Sequence, residues 1–546
     1  MSEPNPVPTL SFSLRHTPLV RAALFVAMVG VMLVVSPARA DEFVDRVNAA
    51  YADIRDERRS DPIILAALAE MEHAPAMLTD QRQAALYPAS GSAWSQLAEW
   101  AAASSQATAL DALDSITKEQ DYRRAMVFAQ PYGLEQVGAD PEQIAFIQAG
   151  LYTDLGDPPL LAAAQHLYLR KFDDLAKLVH VEATRRLEAG DGAGALDVLA
   201  DLIQFGRQIL DREFHAEKVW AFEAMILAAE RMRDVAYNDG RGAASLTAEE
   251  FKTAIDRLLD VRGPISIERI RLPKGDFIAG EQLIATVMEP RGRIRPEVFA
   301  STMSRLESTE RPLRLFGEAA RWRDAAQMHV GWERANKTLD SLRNDFDFRW
   351  SLSPFDPQMA RAFAIEGLFS SQVVADRVAA VSRSVPDMRD LFVLRQLLRT
   401  ELLGTQNALG LAAFHVQNGR FPLDLSGIRP KYIKDVGIDP FNPAVADGRV
   451  PTLKFFVPVR DTADRFSGQP NTPPHEISIL VDDAPNVSIL LREDQFVLYS
   501  VGADGSAQWA DEVQNSPDAP PGRDYLLWPP VLSVVRDTLL NDGVFN

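Results

Sequence analysis

The spacing of apolar residues divides the chain into two kinds of structure. From residue 41 to about residue 385, apolar residues recur at three- and four-residue intervals, which predicts a succession of amphipathic helices. Residues 183–210 predict a helical hairpin, because Ala189-Gly190 ends one apolar stripe and Asp191 can cap the next helix. No second copy recurs at a fixed period, so we expect an irregular stack of helical hairpins. A helical bundle without a groove is the alternative.

The pattern changes near residue 386. A long helix is predicted over residues 387–416, followed by short runs rich in β-branched and aromatic residues with Pro, Gly, Asp and Asn between them. The predicted strands are residues 452–459, 477–481, 487–491 and 496–500. The fold class is therefore mainly α, with an α-helical domain over residues 41–385 and an α+β domain with a small antiparallel sheet over residues 386–546.

The first forty residues have the order of a secretory signal. Arg15 and Arg21 precede an unbroken apolar run from residue 22 to residue 35, and Ala38-Arg39-Ala40 forms a small-x-small cleavage site. Only 17 uncharged residues separate Arg21 from Arg39, whereas a membrane-spanning helix needs about 20 apolar residues. We therefore predict a signal peptide over residues 1–40 and export to the periplasm or the medium. The alternative is a membrane anchor formed by residues 19–36.

Composition excludes several classes of function. The 546 residues carry a formal net charge of -19, which disfavours binding to nucleic acid because phosphate contacts need clustered Lys and Arg. The chain contains no cysteine, so disulfides, thiolate metal sites and cysteine nucleophiles are excluded. Apolar residues make up 47% of the chain and charged residues 24%, which is typical of globular proteins.

Several short motifs follow one another in the last quarter of the chain. A predicted helix ends in FHVQNGRFP, a Pro-Lys-Tyr and an Asp-Pro follow, and a predicted strand ends in FVLYSVGADG. In order and spacing this region resembles the globular part of type II secretion major pseudopilins and related type IV pilin-like domains. The matching positions are Phe414, Gly419, Phe421, Pro422, Leu425, Ile428, Pro430, Tyr432, Asp439, Pro440, Tyr499, Ser500, Gly502, Asp504 and Gly505.

The resemblance implies a pilin-like domain but not a filament subunit. Pseudopilins begin with a short leader and an apolar helix carrying a glutamate, whereas some 385 residues of other sequence precede this long helix. We therefore expect a pilin-type globular fold fused behind an exported helical domain.

The resemblance also implies a candidate calcium site. Pseudopilin domains bind Ca²⁺ in the loop after the matching strand, and the corresponding carboxylates are Asp504 and Asp511, with Glu512 beside them. Ca²⁺ takes six or more oxygen ligands, which two or three carboxylates do not supply. Trp509 also stands where the family has Gly-rich sequence. An acidic surface loop without an ion is therefore the favoured interpretation, and we expect no other cofactor.

No motif identifies a reaction. The sequence contains no G-x-S-x-G, P-loop or H-E-x-x-H motif, and Ser115 and Lys118 match S-x-x-K without its companion boxes. The aromatic and Arg-rich residues 311–350 are interpreted as core aromatics with solvated arginines, the alternative being a recognition surface.

These observations favour an exported, non-catalytic protein with a structural or protein-interaction role in the bacterial cell envelope. Its expected partners are other envelope proteins, with membrane contact only through an uncleaved N-terminal segment. The alternative is a periplasmic hydrolase or peptidoglycan-acting enzyme that uses carboxylates in a groove of the helical domain.

Overall fold

The computed structural model describes residues 37–119, 121–134, 141–242, 245–259, 263–310, 318–352, 356–362, 366–442, 451–480, 486–502, 505–516 and 523–545. Helices dominate it, as the sequence predicts. In chain order the helices α1 to α19 are Pro37–Ala52, Asp61–Glu70, Gln81–Leu86, Trp94–Ala101, Ser104–Thr117, Pro141–Gln148, Leu169–Glu188, Gly192–Ile209, His215–Arg241, Ala248–Arg257, Gly275–Val287, Pro296–Glu310, Glu318–Met328, Trp332–Ser351, Gly367–Ser370, Gln372–Arg377, Ala379–Ser382, Arg389–Asn418 and Val531–Asn541.

The predicted helical hairpin is confirmed. Helix α7 ends at Glu188, Gly190 follows with a φ of 78°, and α8 begins at Gly192. The carboxylate of Asp191 accepts a hydrogen bond of 2.8 Å from the Gly194 amide, which satisfies one free N–H of the first turn. Thr247 likewise caps α10, in a capping box with Glu250.

The described part of the chain contains eight short strands, and six of them lie in the C-terminal region. Strands β1 to β8 are Thr153–Asp154, Gln165–His166, Lys454–Phe456, His475–Leu480, Val487–Leu491, Val497–Ser500, Glu512–Gln514 and Tyr525–Trp528. They form a β1-β2 pair and two three-stranded sheets with the orders β3-β6-β8 and β5-β4-β7. The pairs β3-β6 and β4-β5 join predicted strands and are antiparallel as predicted. Strands β7 and β8 were not predicted; β8 pairs antiparallel with β6, and β7 pairs parallel with β4.

The long C-terminal helix is confirmed as α18, which ends at Gly419 with a φ of 64°. Two of the motifs behind the pseudopilin resemblance meet after this helix. The buried Asp439 carboxylate accepts hydrogen bonds of 2.6 Å from the Ser500 hydroxyl and 3.2 Å from the Val501 amide. The Asp-Pro turn is thereby fastened to the end of β6.

Helix α9 carries buried charged side chains that hold the later elements in place. Arg233 is fully buried and lies 2.6 Å from the buried carboxylate of Glu401 on α18. Glu401 also accepts a hydrogen bond of 2.6 Å from the Tyr525 hydroxyl in β8. The next residue of α9, Asp234, accepts hydrogen bonds of 2.7 and 2.8 Å from Arg536 on α19. Helix α9 is thus bonded directly to α18 and α19, and through Glu401 to β8.

The hydrophobic core also crosses the predicted domain boundary. One cluster of buried residues includes Leu199 and Met225 of the helical region together with Leu398, Leu498 and Leu527 of the C-terminal region. The boundary near residue 386 predicts that the regions before and after it fold independently, and it stays a prediction. The shared core favours cooperative unfolding of the two regions, because separating them exposes apolar surface on both.

The predicted signal peptide and the alternative anchor over residues 19–36 lie outside the described residues. Within the described part of the chain, no helix combines the length and the hydropathy needed to cross a membrane.

The Arg233–Glu401 pair gives a first prediction. We expect Arg233→Met to lower the free energy of unfolding by about 3–5 kcal/mol, because it leaves the Glu401 carboxyl buried without its cation. Urea denaturation followed by circular dichroism measures this.

Arg233→Met combined with Glu401→Gln should be less destabilised than the single variant, since no charge then remains. The exposed control Arg334→Met should change stability by less than about 0.5 kcal/mol. Equal stability of Arg233→Met and Arg334→Met would contradict the role assigned to α9.

His180 on α7 gives a prediction about pH. The side chain is fully buried, and neither ring nitrogen has a hydrogen-bond partner among the residues that the structure describes. Burial, together with the charge of Arg231, lowers the pKa of His180 to about 3. The unfolded chain therefore binds a proton near pH 6.5 that the folded chain does not bind until about pH 3. We expect stability to fall as the pH falls through this window, by up to about 1.4 kcal/mol per pH unit from this residue. His180→Leu should remove that part of the slope in urea titrations between pH 7 and about pH 4; an unchanged slope would show that His180 already titrates normally.

Candidate functional site

A cleft lies where the helical region meets the N-terminal half of α18. It has a volume of about 720 Å³, within the range of small-ligand sites. Its walls come from α1, α11, α14 and α18, and residues 268–274 form its edge. Apolar side chains line part of it, among them Ile270, Phe277 and Trp350. The cleft therefore offers apolar surface together with the charged groups described next.

Basic side chains outnumber acidic ones in this cleft, although the whole chain has a net charge of -19. The basic residues are Arg46, Arg271, Lys274, Arg343, Arg395 and Arg399, and the acidic ones are Glu268, Glu281 and Asp347. Clefts lined by one sign of charge concentrate the field and attract counter-ions. We refer to this site as the cationic cleft.

Arg395 is the most buried cation of the cleft. It is only 9% exposed, and its guanidinium lies 3.8 Å from the centroid of the Trp350 ring. Its Nη2 donates a hydrogen bond of 3.1 Å to the Trp350 carbonyl, and among the described residues no carboxylate pairs with it. Burial, and next to it the charge of Arg399, lowers the pKa of Arg395 to about 10. Arg395 thus holds a positive charge at the wall of the cleft.

Trp350 is itself fixed in position. Its Nε1 donates a hydrogen bond of 3.0 Å to the Ile270 carbonyl, and its ring packs against Phe392 at 5.4 Å. The Arg395–Trp350 pair therefore sits on a rigid support, which keeps the guanidinium pre-organised for a ligand.

Residues 268–274 place two further cations at the rim. Arg271 and Lys274 are exposed, and neither side chain forms an ion pair with a described residue. Glu213, just before α9, fixes the end of the segment, because its carboxylate accepts a hydrogen bond of 3.1 Å from the Lys274 amide. Its carbonyl accepts another, of 2.7 Å, from Gly275. A second cavity of about 420 Å³ lies beside the segment and shares Arg271 and Lys274 with the cationic cleft.

Two of the three acidic residues of the cleft, Glu268 and Glu281, are engaged by arginines. Glu281 receives Arg46 at 2.7 Å and Arg343 at 2.6 Å, and Glu268 pairs with Arg399. The third, Asp347, is exposed and forms no ion pair with a described residue. Both oxygens of Glu281 are occupied by arginines, so this residue offers no free carboxylate for general acid–base catalysis. The geometry suits recognition of an anion better than hydrolysis.

The predicted calcium loop has a different arrangement. Asp504 lies outside the described residues. The carboxylate of Asp511 accepts hydrogen bonds of 3.1 and 2.8 Å from the guanidinium of Arg465, and Glu512 pairs with Arg523. Trp509 has a φ of 63°, and its carbonyl lies 2.9 Å from Nε2 of His475. Arginines therefore occupy the two described carboxylates.

A separate acidic cluster brings Asp114, Asp197 and Asp201 together, with one oxygen of each within 4.8 Å of the others. Arg257 bonds both Asp197 and Asp201, the latter at 2.7 Å, and Lys118 lies 2.5 Å from Asp114. Lys118 and Arg257 offset two of the three negative charges, so we assign no metal to the cluster.

The two interpretations of the aromatic and Arg-rich residues 311–350 apply to different residues. Trp322 and Phe346 are fully buried, as the core interpretation predicts. Trp350 and Arg343 line the cationic cleft, which the alternative of a recognition surface anticipates. Sequence reasoning missed Arg271, Lys274, Arg395 and Arg399. The signal available was the basic run ERIRLPK at residues 268–274, which is unusual in so acidic a chain.

Comparisons with protein-family profiles, with curated proteins and with solved structures find no match for this chain. The pseudopilin resemblance therefore rests on the motifs quoted above.

The calcium question remains open to a direct test. We expect millimolar calcium to leave the melting temperature unchanged relative to a chelator, because Arg465 already holds Asp511. Differential scanning calorimetry of the full chain measures this. An increase in melting temperature with calcium that Asp504→Ala abolishes would instead establish an ion site in the loop.

Proposed function

We propose that this protein is an exported, non-catalytic binding protein of the bacterial cell envelope, and that the cationic cleft holds an anionic ligand or partner segment. Export is proposed from the order of charged, apolar and small residues in the first forty positions. The observation that carries the binding role is Arg395, a cation only 9% exposed that faces a cleft of about 720 Å³ and has no carboxylate partner among the described residues.

Physical chemistry supports an anion as the ligand of this cation. Removing a guanidinium from water is unfavourable unless another charge or a set of acceptors replaces the lost hydration. Trp350 supplies one ring face and one carbonyl, and the other N–H donors of Arg395 reach solvent in the cleft. A carboxylate or phosphate presents two acceptors in the geometry that a guanidinium matches. An anion that enters the cleft would therefore replace water on the accessible donors of Arg395.

We also propose that the C-terminal region is a pilin-like domain adapted to this non-filamentous role. The long helix ending at Gly419 and the contact between Asp439 and Ser500 support this proposal, since both involve positions of the resemblance. Helix α18 belongs to this region and also carries Arg395 and Arg399. On this proposal, the pilin-like helix contributes one wall of the binding cleft.

A carboxylate polymer without peptide bonds tests the binding role. We expect fluorescein-labelled polyacrylate to bind saturably at low salt and to be released by added salt, as screened charge contacts are. Arg271→Glu with Lys274→Glu should weaken binding by about tenfold or more, which corresponds to about 1.4 kcal/mol. Fluorescence anisotropy measures the affinity.

The matched control reverses one arginine and one lysine elsewhere on the surface. Arg334 and Lys337 are exposed on α14 and do not line the cleft. Arg334→Glu with Lys337→Glu should leave the affinity within about twofold, because these two side chains do not contact a ligand in the cleft and salt screens their charges. Equal losses in the two double variants, or no saturable binding at all, would contradict the proposed function.

A further inference from the structure

The edge of the cationic cleft is an extended backbone segment without sheet partners. Ile270 has φ and ψ values of -66° and 128°, and residues 270–273 belong to no helix or strand. The Ile270 carbonyl is used by Trp350. The backbone N–H and C=O groups of Arg271 and Leu272 form no hydrogen bond with any described residue. A short stretch of main chain is thus left open along the cleft.

Side chains alternate from Arg269 to Leu272 as they do in a strand with one solvated face, and the alternation ends at the buried Pro273. Ile270 and Leu272 are buried, whereas Arg269, Arg271 and Lys274 are exposed. Cavities of about 720 and 420 Å³ lie along the segment, and both include Arg271 and Lys274 in their walls. Basic residues outnumber acidic ones in both cavities, so the space beside the open backbone favours an acidic ligand.

We propose that the ligand of the cationic cleft is an extended acidic peptide segment of a partner protein, which pairs with the backbone of Arg271 as an added strand. This inference rests on the proposed function and names the partner class for the same site. A peptide residue opposite Arg271 would donate its N–H to the Arg271 carbonyl and accept from the Arg271 N–H, as in one hydrogen-bonded pair of an antiparallel ladder.

Charge complementarity selects an acidic partner over a neutral or basic one. Arg271 and Lys274 at the rim and Arg395 inside the cleft have no carboxylate partner among the described residues, so acidic side chains of a peptide would meet free cations. Main-chain pairing would supply affinity that is independent of side-chain sequence, and the spacing of the cations would select the positions of the acidic residues. Pro273 lacks an N–H, so the pairing stays short.

Backbone-methylated peptides separate strand pairing from charge attraction. The probe is a labelled peptide of alternating glutamate and valine, compared with two versions that are N-methylated at alternate residues in the two possible registers. In an extended peptide, successive N–H groups point to opposite edges. We therefore expect one methylated version to bind at least about tenfold more weakly than the parent, and the other to bind within about twofold.

The two methylated peptides carry the same charge and the same number of methyl groups, so each is the control for the other. Equal affinities of all three peptides would overturn strand pairing and leave the anion-binding role intact. An equal loss for both methylated versions would also overturn it, since a general steric effect would then explain the loss. If neither the peptides nor polyacrylate bind, the proposed function itself fails.

A pair of variants tests the same contact from the protein side. Arg271→Ala and Arg271→Pro both remove the cation, but only the proline removes the backbone N–H. The extended conformation of Ile270 is compatible with a following proline. We expect Arg271→Pro to bind the glutamate-valine peptide at least about fivefold more weakly than Arg271→Ala, while the two bind polyacrylate equally. Equal peptide affinity of two folded variants would overturn the pairing, and the methylated peptides decide the question if Arg271→Pro does not fold.

Discussion

The buried charges of α9 are the constraint on which the rest of the structure depends. Arg233 and Asp234 are neighbours on this helix, both are fully buried, and each bonds an oppositely charged side chain from a different C-terminal element. A buried charge is tolerated only with its partner in place, because desolvation is otherwise uncompensated. Helices α18 and α19 can therefore dock on α9 in few alternative arrangements. Hydrophobic contact alone would not specify the arrangement so narrowly, since apolar surfaces pack with little directional preference.

This constraint determines where the cleft forms. Bonding between Arg233 and Glu401 fixes the middle of α18, and Arg395 lies six residues earlier on the same helix, close to α14. The start of α9 fixes the other side, because Glu213 bonds the backbone at Lys274 and Gly275. Helix α9 and the residues just before it therefore fix the positions of both opposing walls of the cationic cleft. Binding residues placed on such a support keep their geometry without help from the ligand.

The individual helices and their caps were predictable from the sequence, whereas the packing of the elements against one another was not. Asp191, Thr247 and Gly419 act within a few residues of themselves, so their capping roles follow from short-range rules. Contacts such as that between Arg233 and Glu401 join residues far apart in the chain, and no periodicity encodes them. The parallel pairing of β4 with β7 was missed for the same reason, since hydrophobic alternation does not distinguish the direction of a partner strand. The cationic cleft gathers arginines from three helices and one loop, so only its 268–274 edge was visible as a basic run.

The opposite signs of the cleft and of the whole molecule raise the question of which charge an approaching ligand experiences. At physiological ionic strength, exposed charges are largely screened beyond about 8 Å. The net charge of -19 is spread over the surface, so at contact distance it acts weakly on a group inside the cleft. Arg395, Arg271 and Lys274 act at hydrogen-bond distance, where screening is least effective and, for Arg395, water is partly excluded.

The acidic surface still opposes adsorption of large polyanions across the molecule. An extended acidic segment narrow enough to enter the cleft reaches the cations while presenting little charge to the remaining surface. The two electrostatic features therefore act together, one excluding bulky polyanions and the other retaining the segment that fits.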